Sequence, residues 1–161
     1  MDSREQLPLT FLHPFVTEVE TMKLDCGDYA CQYKNSYIPS IRFERKGIGD
    51  LFGTLSNKEN YERFKREIQR AKDFDVKIII LIEGTLTKVL KGYEHSQREP
   101  DSIVKQLFTL WTKYDVMPVF CKDREEMSRY IIEFYTAIGR KALEDLKFQK
   151  QLSKQVNKVV V

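Results

Sequence analysis

Two acidic side chains and one lysine stand at a spacing that suits phosphodiester chemistry. Asp28 follows Gly27 in a turn signal, and Glu44 and Lys46 lie two residues apart in the alternating run Ile41-Arg42-Phe43-Glu44-Arg45-Lys46. Residues two apart on a strand share a face, so Glu44 and Lys46 should project together while Ile41 and Phe43 point the other way. Carboxylates are the hard oxygen donors that Mg²⁺ prefers, leaving other positions to water and a substrate phosphate. An ammonium beside them can orient or deprotonate an attacking water and offset charge developing on a phosphoryl group. Asp2, Glu20 and Asp50 complete the acidic set. Taken singly, each piece is ordinary: a Glu-x-Lys pair is common as solvated charge, and Gly-Asp-Tyr is a common turn. Together they form a coherent toolkit for metal-assisted hydrolysis.

The elements that must position these groups can be read from periodicity. Residues 16–20 alternate apolar and polar, and residues 29–33 follow the Gly27-Asp28 turn, so two strands in hairpin relation are expected. The polar loop 34–40 then leads into a strand at 41–46. A short helix at 48–55 carries Asp50, and Asn57 suits the N-cap of a helix over 58–74, whose Tyr61, Phe64, Ile68 and Ala71 recur at helical spacing. Residues 76–82 are an unbroken β-branched and aliphatic run, the pattern of a strand buried on both faces. A short helix at 86–90 and a polar loop at 92–100 precede a helix capped by Asp101 or Ser102, with Val104, Leu107, Phe108 and Trp111 on its apolar face. A last strand at 117–120 leads into a long helix from Asp123, with a stripe of Met127, Tyr130, Ile131, Phe134, Ile138 and Leu146. Aromatic residues in such a stripe are expected in the core. The order implies a single α/β domain with a mixed central β-sheet flanked by helices.

Composition narrows the class. The chain has 161 residues, 42% hydrophobic and 32% charged, with 27 Lys+Arg against 24 Asp+Glu for a net charge of +3. That balance excludes disorder, collagen-like repeats and a disulfide scaffold. The longest apolar run, Ile78-Ile79-Ile80-Leu81-Ile82, is far short of the roughly 20 residues of a membrane span, so no membrane partner is expected. A polar start, Asp2-Ser3-Arg4-Glu5, argues against a signal peptide and for a chain that stays in the cytoplasm, or the nucleus if eukaryotic, without secretion. Cys26, Cys31 and Cys121 lack paired-ligand spacing for zinc or a disulfide framework. The net charge is too modest to announce a nucleic-acid binder, although residues 140–161 hold six basic and two acidic side chains. Lysines near a helix C-terminus are also favourable against the helix dipole, so a solvated helix end accounts for them as well as a phosphate-contacting arm does.

Read in order, Asp2-Ser3-Arg4-Glu5, then Gly27-Asp28-Tyr29, then Glu44-Arg45-Lys46-Gly47-Ile48-Gly49-Asp50, the sequence resembles the nuclease domain of the XPF/Hef family of structure-specific DNA endonucleases, with its G-D … E-R-K-x-x-x-D motif. Ile80-Leu81-Ile82-Glu83-Gly84 and Met117-Pro118-Val119-Phe120 with Asp123-Arg124-Glu125-Glu126 extend the likeness to about Leu146. The resemblance implies a restriction-endonuclease-like fold over 1–146, with 147–161 as a basic helical extension or tail. It makes Asp28 and Glu44 the metal ligands for Mg²⁺ or Mn²⁺, supported by Asp2, and Lys46 the catalytic lysine. Asp50 is assigned to the catalytic set, and Arg45 and Arg4 to phosphate contact or to bracing the carboxylates. Glu5, Glu20 and Glu83 lie near the inferred site without a settled role. The implied activity is metal-dependent cleavage of branched or structured DNA in repair, recombination or replication, leaving a 5′-phosphate and a 3′-hydroxyl.

Three departures from the family shape further expectations. Asp2 follows Met1 directly, so the first strand should be short or absent. The stretch between Tyr29 and Phe43 is longer than usual and places an extra loop beside the site. The tandem helix-hairpin-helix domain of the family is not expected in this chain, so fork or flap specificity does not simply carry over; the resemblance implies a homodimer as partner, with a separate DNA-binding subunit as the alternative. A catalytically silent nuclease fold used for docking or dimerisation, and an RNA nuclease or other phosphodiesterase, are the alternatives.

Overall fold

The aliphatic run in the middle of the chain becomes the central strand of a three-stranded sheet. The computed structural model describes the backbone of residues 1–156 and the side chains through residue 150. Strand β1 (Ile41–Gly47) is followed by helices α1 (Ile48–Ser56) and α2 (Lys58–Asp73). Strand β2 (Lys77–Glu83), helices α3 (Leu86–Leu90) and α4 (Pro100–Tyr114), strand β3 (Met117–Cys121) and helix α5 (Arg124–Val156) complete the order. The strands are parallel, in the order β1-β2-β3, with Glu44 beside Ile80, Arg45 beside Leu81 and Lys46 beside Ile82. One antiparallel bridge, Tyr29 to Phe43, makes the pairing mixed.

Strand alternation divides the interior into two layers. Ile78, Ile80 and Ile82 face α1, α2 and α4, packing with Leu51, Phe52, Phe64, Ile68, Ile103 and Leu107. Phe43, Ile79, Leu81 and Cys121 face α5, where Met127, Ile131 and Tyr135 meet them. Burial on both faces is why β2 reads as unbroken hydrophobicity rather than alternation. Glu44 and Lys46 belong to the α2 side, Arg45 to the α5 side.

Most boundaries follow the sequence pattern. Asn57 caps α2, its side chain accepting the Asn60 N–H at 3.0 Å. Helix α4 starts earlier than expected, with Pro100 in its first turn and Glu99 at the cap position rather than Asp101 or Ser102; proline's fixed φ suits that first turn. The expected hairpin is absent. Residues 16–20 form no strand, and residues 29–33 contribute only the Tyr29–Phe43 bridge. Alternation supplies a face to bury, but a strand also needs a partner edge, and Asp28 and Tyr29 alone take up the edge of β1. The first strand is likewise reduced to one parallel bridge, Asp2 to Met22. Leu146, expected in the stripe of α5, is exposed, because the helix runs past the sheet it covers. Helix α5 continues through Val156, and residues 157–161 of the expected tail lie outside the described residues. All three cysteines are free. Among the described residues no helix is long and apolar enough to cross a membrane.

Candidate active site

The free edge of β1 is finished by a side chain instead of a strand. Tyr29 and Phe43 exchange backbone hydrogen bonds at 3.0 Å each, and the Asp28 N–H also donates to the Phe43 carbonyl at 2.7 Å. Two residues further along that edge, the Arg45 N–H donates to Asp28 Oδ2 at 2.8 Å, where a neighbouring strand's carbonyl would otherwise accept. The turn before Asp28 demands glycine. Gly27 has φ +68°, and a Cβ there would stand 2.8 Å from Arg42 Cβ and 3.2 Å from the Phe43 oxygen.

On the α2 side of the same edge, Lys46 Nζ meets Glu44 Oε1 at 2.6 Å, and its ammonium lies 5.5 Å from the centre of the Phe64 ring. Glu44 is only 6% exposed, which is unusual for a carboxylate. Burial pushes Glu44 up to about 8, with Lys46 opposing and the charges of Asp28 and Glu67 adding to the rise. Asp28 rises to about 6, again mainly through burial, with the Arg45 N–H opposing and Glu5 adding. Burial works against the Lys46 ammonium, but Glu44, Asp28 and Glu67 outweigh it and hold its pKa above the ordinary lysine value. Lys46 is therefore a cation at neutral pH. Glu44, Asp28 and Glu67 lie within electrostatic reach of that one cation, an acidic excess that a proton on Glu44 or a further cation relieves.

The remaining expected residues divide. Asp2 is buried, and both its oxygens are committed: Oδ1 to the Arg4 N–H and Nε, Oδ2 to Arg4 Nη2 and the Leu24 N–H. Arg4 above all, by hydrogen bonding, brings Asp2 down to about 2. Asp2 thus ties the first residues to the stretch at 22–24, and the Asp2 N–H donates to the Asp28 carbonyl at 2.7 Å. Arg4 is largely exposed beyond that pair, within electrostatic reach of Asp28 and Glu67. The Arg45 side chain lies on the opposite face, between Glu5 at 3.0 Å and Glu83 at 3.1 Å, with Arg124 3.7 Å from Glu83. That network braces the strand ends and occupies the guanidinium. Asp50 is exposed on the first turn of α1, close to the backbone of Gly47. Glu20 is exposed, and its carbonyl rather than its carboxylate is engaged, by the chain's amino terminus at 2.7 Å.

The ERCC4 domain matches residues 1–134, a stretch that contains every one of these side chains. The chain belongs to the ERCC4 domain family. That family is one of DNA endonuclease domains. The fold of this ERCC4 domain is similar to XPF from Aeropyrum pernix, with a TM-score of 0.54 and 17% identity over 88% of this chain. The chain spans 63% of that protein's length. XPF from Aeropyrum pernix in complex with DNA also aligns, at TM-score 0.48 and 20% identity, over 64% of this chain and 46% of the other. No curated protein matches it.

Whether this ERCC4 domain suits a divalent cation turns on its donors. Asp28 Oδ1 and Glu44 Oε2 accept no hydrogen bond among the described residues, so each carboxylate keeps an oxygen in reserve. Among those residues no three His, Cys, Asp or Glu side chains form a cage. A pair of carboxylates without a cage matches Mg²⁺, which commonly takes one or two carboxylates plus water and phosphate. The donor set fits. Glu67 was not singled out from the sequence, where it reads as one of many charges on α2; its place three residues after Phe64, on the edge of the apolar stripe, was the available signal. Two cavities of about 690 and 700 Å³ lie elsewhere, one between residues 11–37 and α5 and one beside the 91–100 loop. Neither is lined by Asp28, Glu44 or Lys46, and cleavage at the surface of a nucleic acid does not require a deep pocket.

Proposed function

We propose that this ERCC4 domain is a divalent-metal-dependent DNA endonuclease, with Mg²⁺ or Mn²⁺ held by Asp28 and Glu44 and with branched or structured DNA as substrate. The observation that carries this reading is the meeting of buried Glu44 with half-buried Asp28 and Lys46 at the free edge of β1, with acidic groups in excess. When bound, the cation would supply Lewis-acid polarisation of a phosphate oxygen and lower the pKa of a water. Lys46, hydrogen-bonded to Glu44, acts as a positive charge near the phosphoryl group, orienting water and offsetting developing charge. Glu44 keeps the ammonium in place, and the Arg45 N–H holds Asp28. Arg4, mostly exposed beside the turn, is the candidate phosphate contact, whereas Arg45 braces the strand from behind. Asp50 stands at the rim.

The decisive experiment is a cleavage panel of single-stranded, duplex, flap, fork and four-way junction DNA, with an RNA strand in parallel, with and without divalent metal. Metal-dependent cutting of branched DNA that is lost in Lys46→Met supports the reading; cutting unaffected by Lys46→Met refutes the site. Preference for the RNA strand would move the substrate class. A role in repair, recombination or replication follows from branched-substrate preference.

A second reading, a nuclease fold kept for docking or for pairing with a second copy, draws on the apolar groove beside α5 and on half-exposed Phe108 and Trp111. It requires no Mn²⁺ heat in a calorimetric titration and a dimer by sedimentation.

A further inference from the structure

One carboxylate at the site belongs to no motif and reaches it from a different element. Glu67, on α2, accepts the Gly27 N–H on Oε1 at 3.2 Å, across 40 residues of sequence. Its charge is felt by Asp28, Glu44, Lys46 and Arg4. Glu67 forms no ion pair among the described residues, although basic residues crowd the same helix. A carboxylate that leaves those neighbours for a backbone N–H is unlike an ordinary solvated surface acid.

The turn it reaches is held tightly on its other side. Gly27 presses against β1 so closely that no Cβ fits, and the Phe43 carbonyl accepts both the Asp28 and Tyr29 N–H groups. The Gly27 N–H faces α2 and has no other acceptor among the described residues. A part-buried N–H left without an acceptor is costly, so this bond fixes the turn as well as filling a vacancy. Phe64, three residues before Glu67 and so on the same side of the helix, lies under the Lys46 ammonium. One helical turn of α2 therefore sets two parts of the site: Phe64 supports Lys46, and Glu67 supports the turn that carries Asp28.

We propose that Glu67 is a positioning residue, clamping the Gly27–Asp28 turn to α2 so that the Asp28 carboxylate stays on the edge of β1. The clamp is a property of the fold; its catalytic meaning rests on the nuclease reading above. Its essential feature is an acceptor oxygen at the end of a side chain of this length, which glutamine also supplies and alanine does not.

Two variants separate these features. Amide hydrogen exchange on the whole chain without metal is the deciding measurement, with the Ile80 and Leu81 amides of β2 as an internal reference for global opening. In Glu67→Ala the Gly27 and Arg45 amides should exchange about tenfold faster, on the scale of one lost hydrogen bond, with the reference amides unchanged. Glu67→Gln should restore protection. Calorimetric titration with Mn²⁺ then reads the consequence: affinity should fall about tenfold in Glu67→Ala, as for other groups that orient a ligand, and by a smaller factor in Glu67→Gln. Unchanged Gly27 and Arg45 exchange in Glu67→Ala overturns the proposal, as does equal loss of protection in both variants. If the exchange pattern appears but the parent chain binds no Mn²⁺ and cuts no DNA, the clamp stands and the nuclease reading falls.

Discussion

Glu44 should make the stability of this domain fall as pH rises, a dependence that a single substitution removes. Its ordinary value is 4.5, and burial among Asp28 and Glu67 brings it to about 8 despite Lys46. In the unfolded chain the group ionises near 4.5, whereas the folded chain keeps its proton until near pH 8. The folded state therefore binds more protons between those values, and stability falls as pH rises through that window. At pH 7 the gap from 4.5 corresponds to about 3 kcal/mol, at roughly 1.4 kcal/mol per pH unit. Glu44→Gln keeps the shape and an acceptor for Lys46 but cannot ionise. Its stability relative to the parent chain should rise by about 3 kcal/mol between pH 4.5 and pH 7. Urea unfolding in EDTA at half-unit pH steps measures this directly. A difference between the two chains that stays flat from pH 4.5 to 8.5 would refute the reasoning, because it would mean that the Glu44 carboxylate ionises in the fold as easily as in water. Mn²⁺ should stabilise the parent increasingly as pH rises, since the cation and the proton compete for the same oxygens.

Asp2 titrates in the opposite sense: held near 2 by Arg4, it should contribute about 2 kcal/mol above pH 4 that fades as pH falls towards 2, and Asp2→Asn should remove that acid dependence in thermal melts. Lys46→Met should cut cleavage of a flap substrate by at least about a hundredfold while near-UV circular dichroism stays native. Gly27→Ala should destabilise by more than about 1 kcal/mol through its positive φ and the contact with Arg42, and should lower Mn²⁺ affinity as Asp28 shifts, read by calorimetry. Phe43→Ala, buried between Tyr130, Phe134 and Tyr135, should cost about 3–5 kcal/mol in urea unfolding.

Local pattern carried much of this far. The run at 78–82 announced a strand buried on both faces, Asn57 announced the start of α2, and the two-residue spacing of Glu44 and Lys46 placed both on one face of β1. Each depends on dihedral periodicity and neighbours in the chain, which any reader of residues can count. The alternation at 16–20 misled for a reason of the same kind: it encodes a face but not a partner, and the edge of β1 was taken by Asp28 and Tyr29. Arg45 sat in the motif beside Lys46, yet strand alternation sent its guanidinium to the α5 side, where Glu5 and Glu83 hold it.

The residue types and their order were enough to nominate Asp28, Glu44 and Lys46 and the α/β frame around them, because strand geometry and hydrophobic periodicity are written locally. Their electrostatics were not. How deeply Glu44 is buried, that Asp2 also reaches the Leu24 N–H 22 residues on, and that Glu67 crosses 40 residues from α2 to the Gly27 turn all depend on distances between segments remote in sequence. Desolvation and charge coupling are set by what surrounds a group in space, and only packing the helices against the sheet brings those surroundings into being.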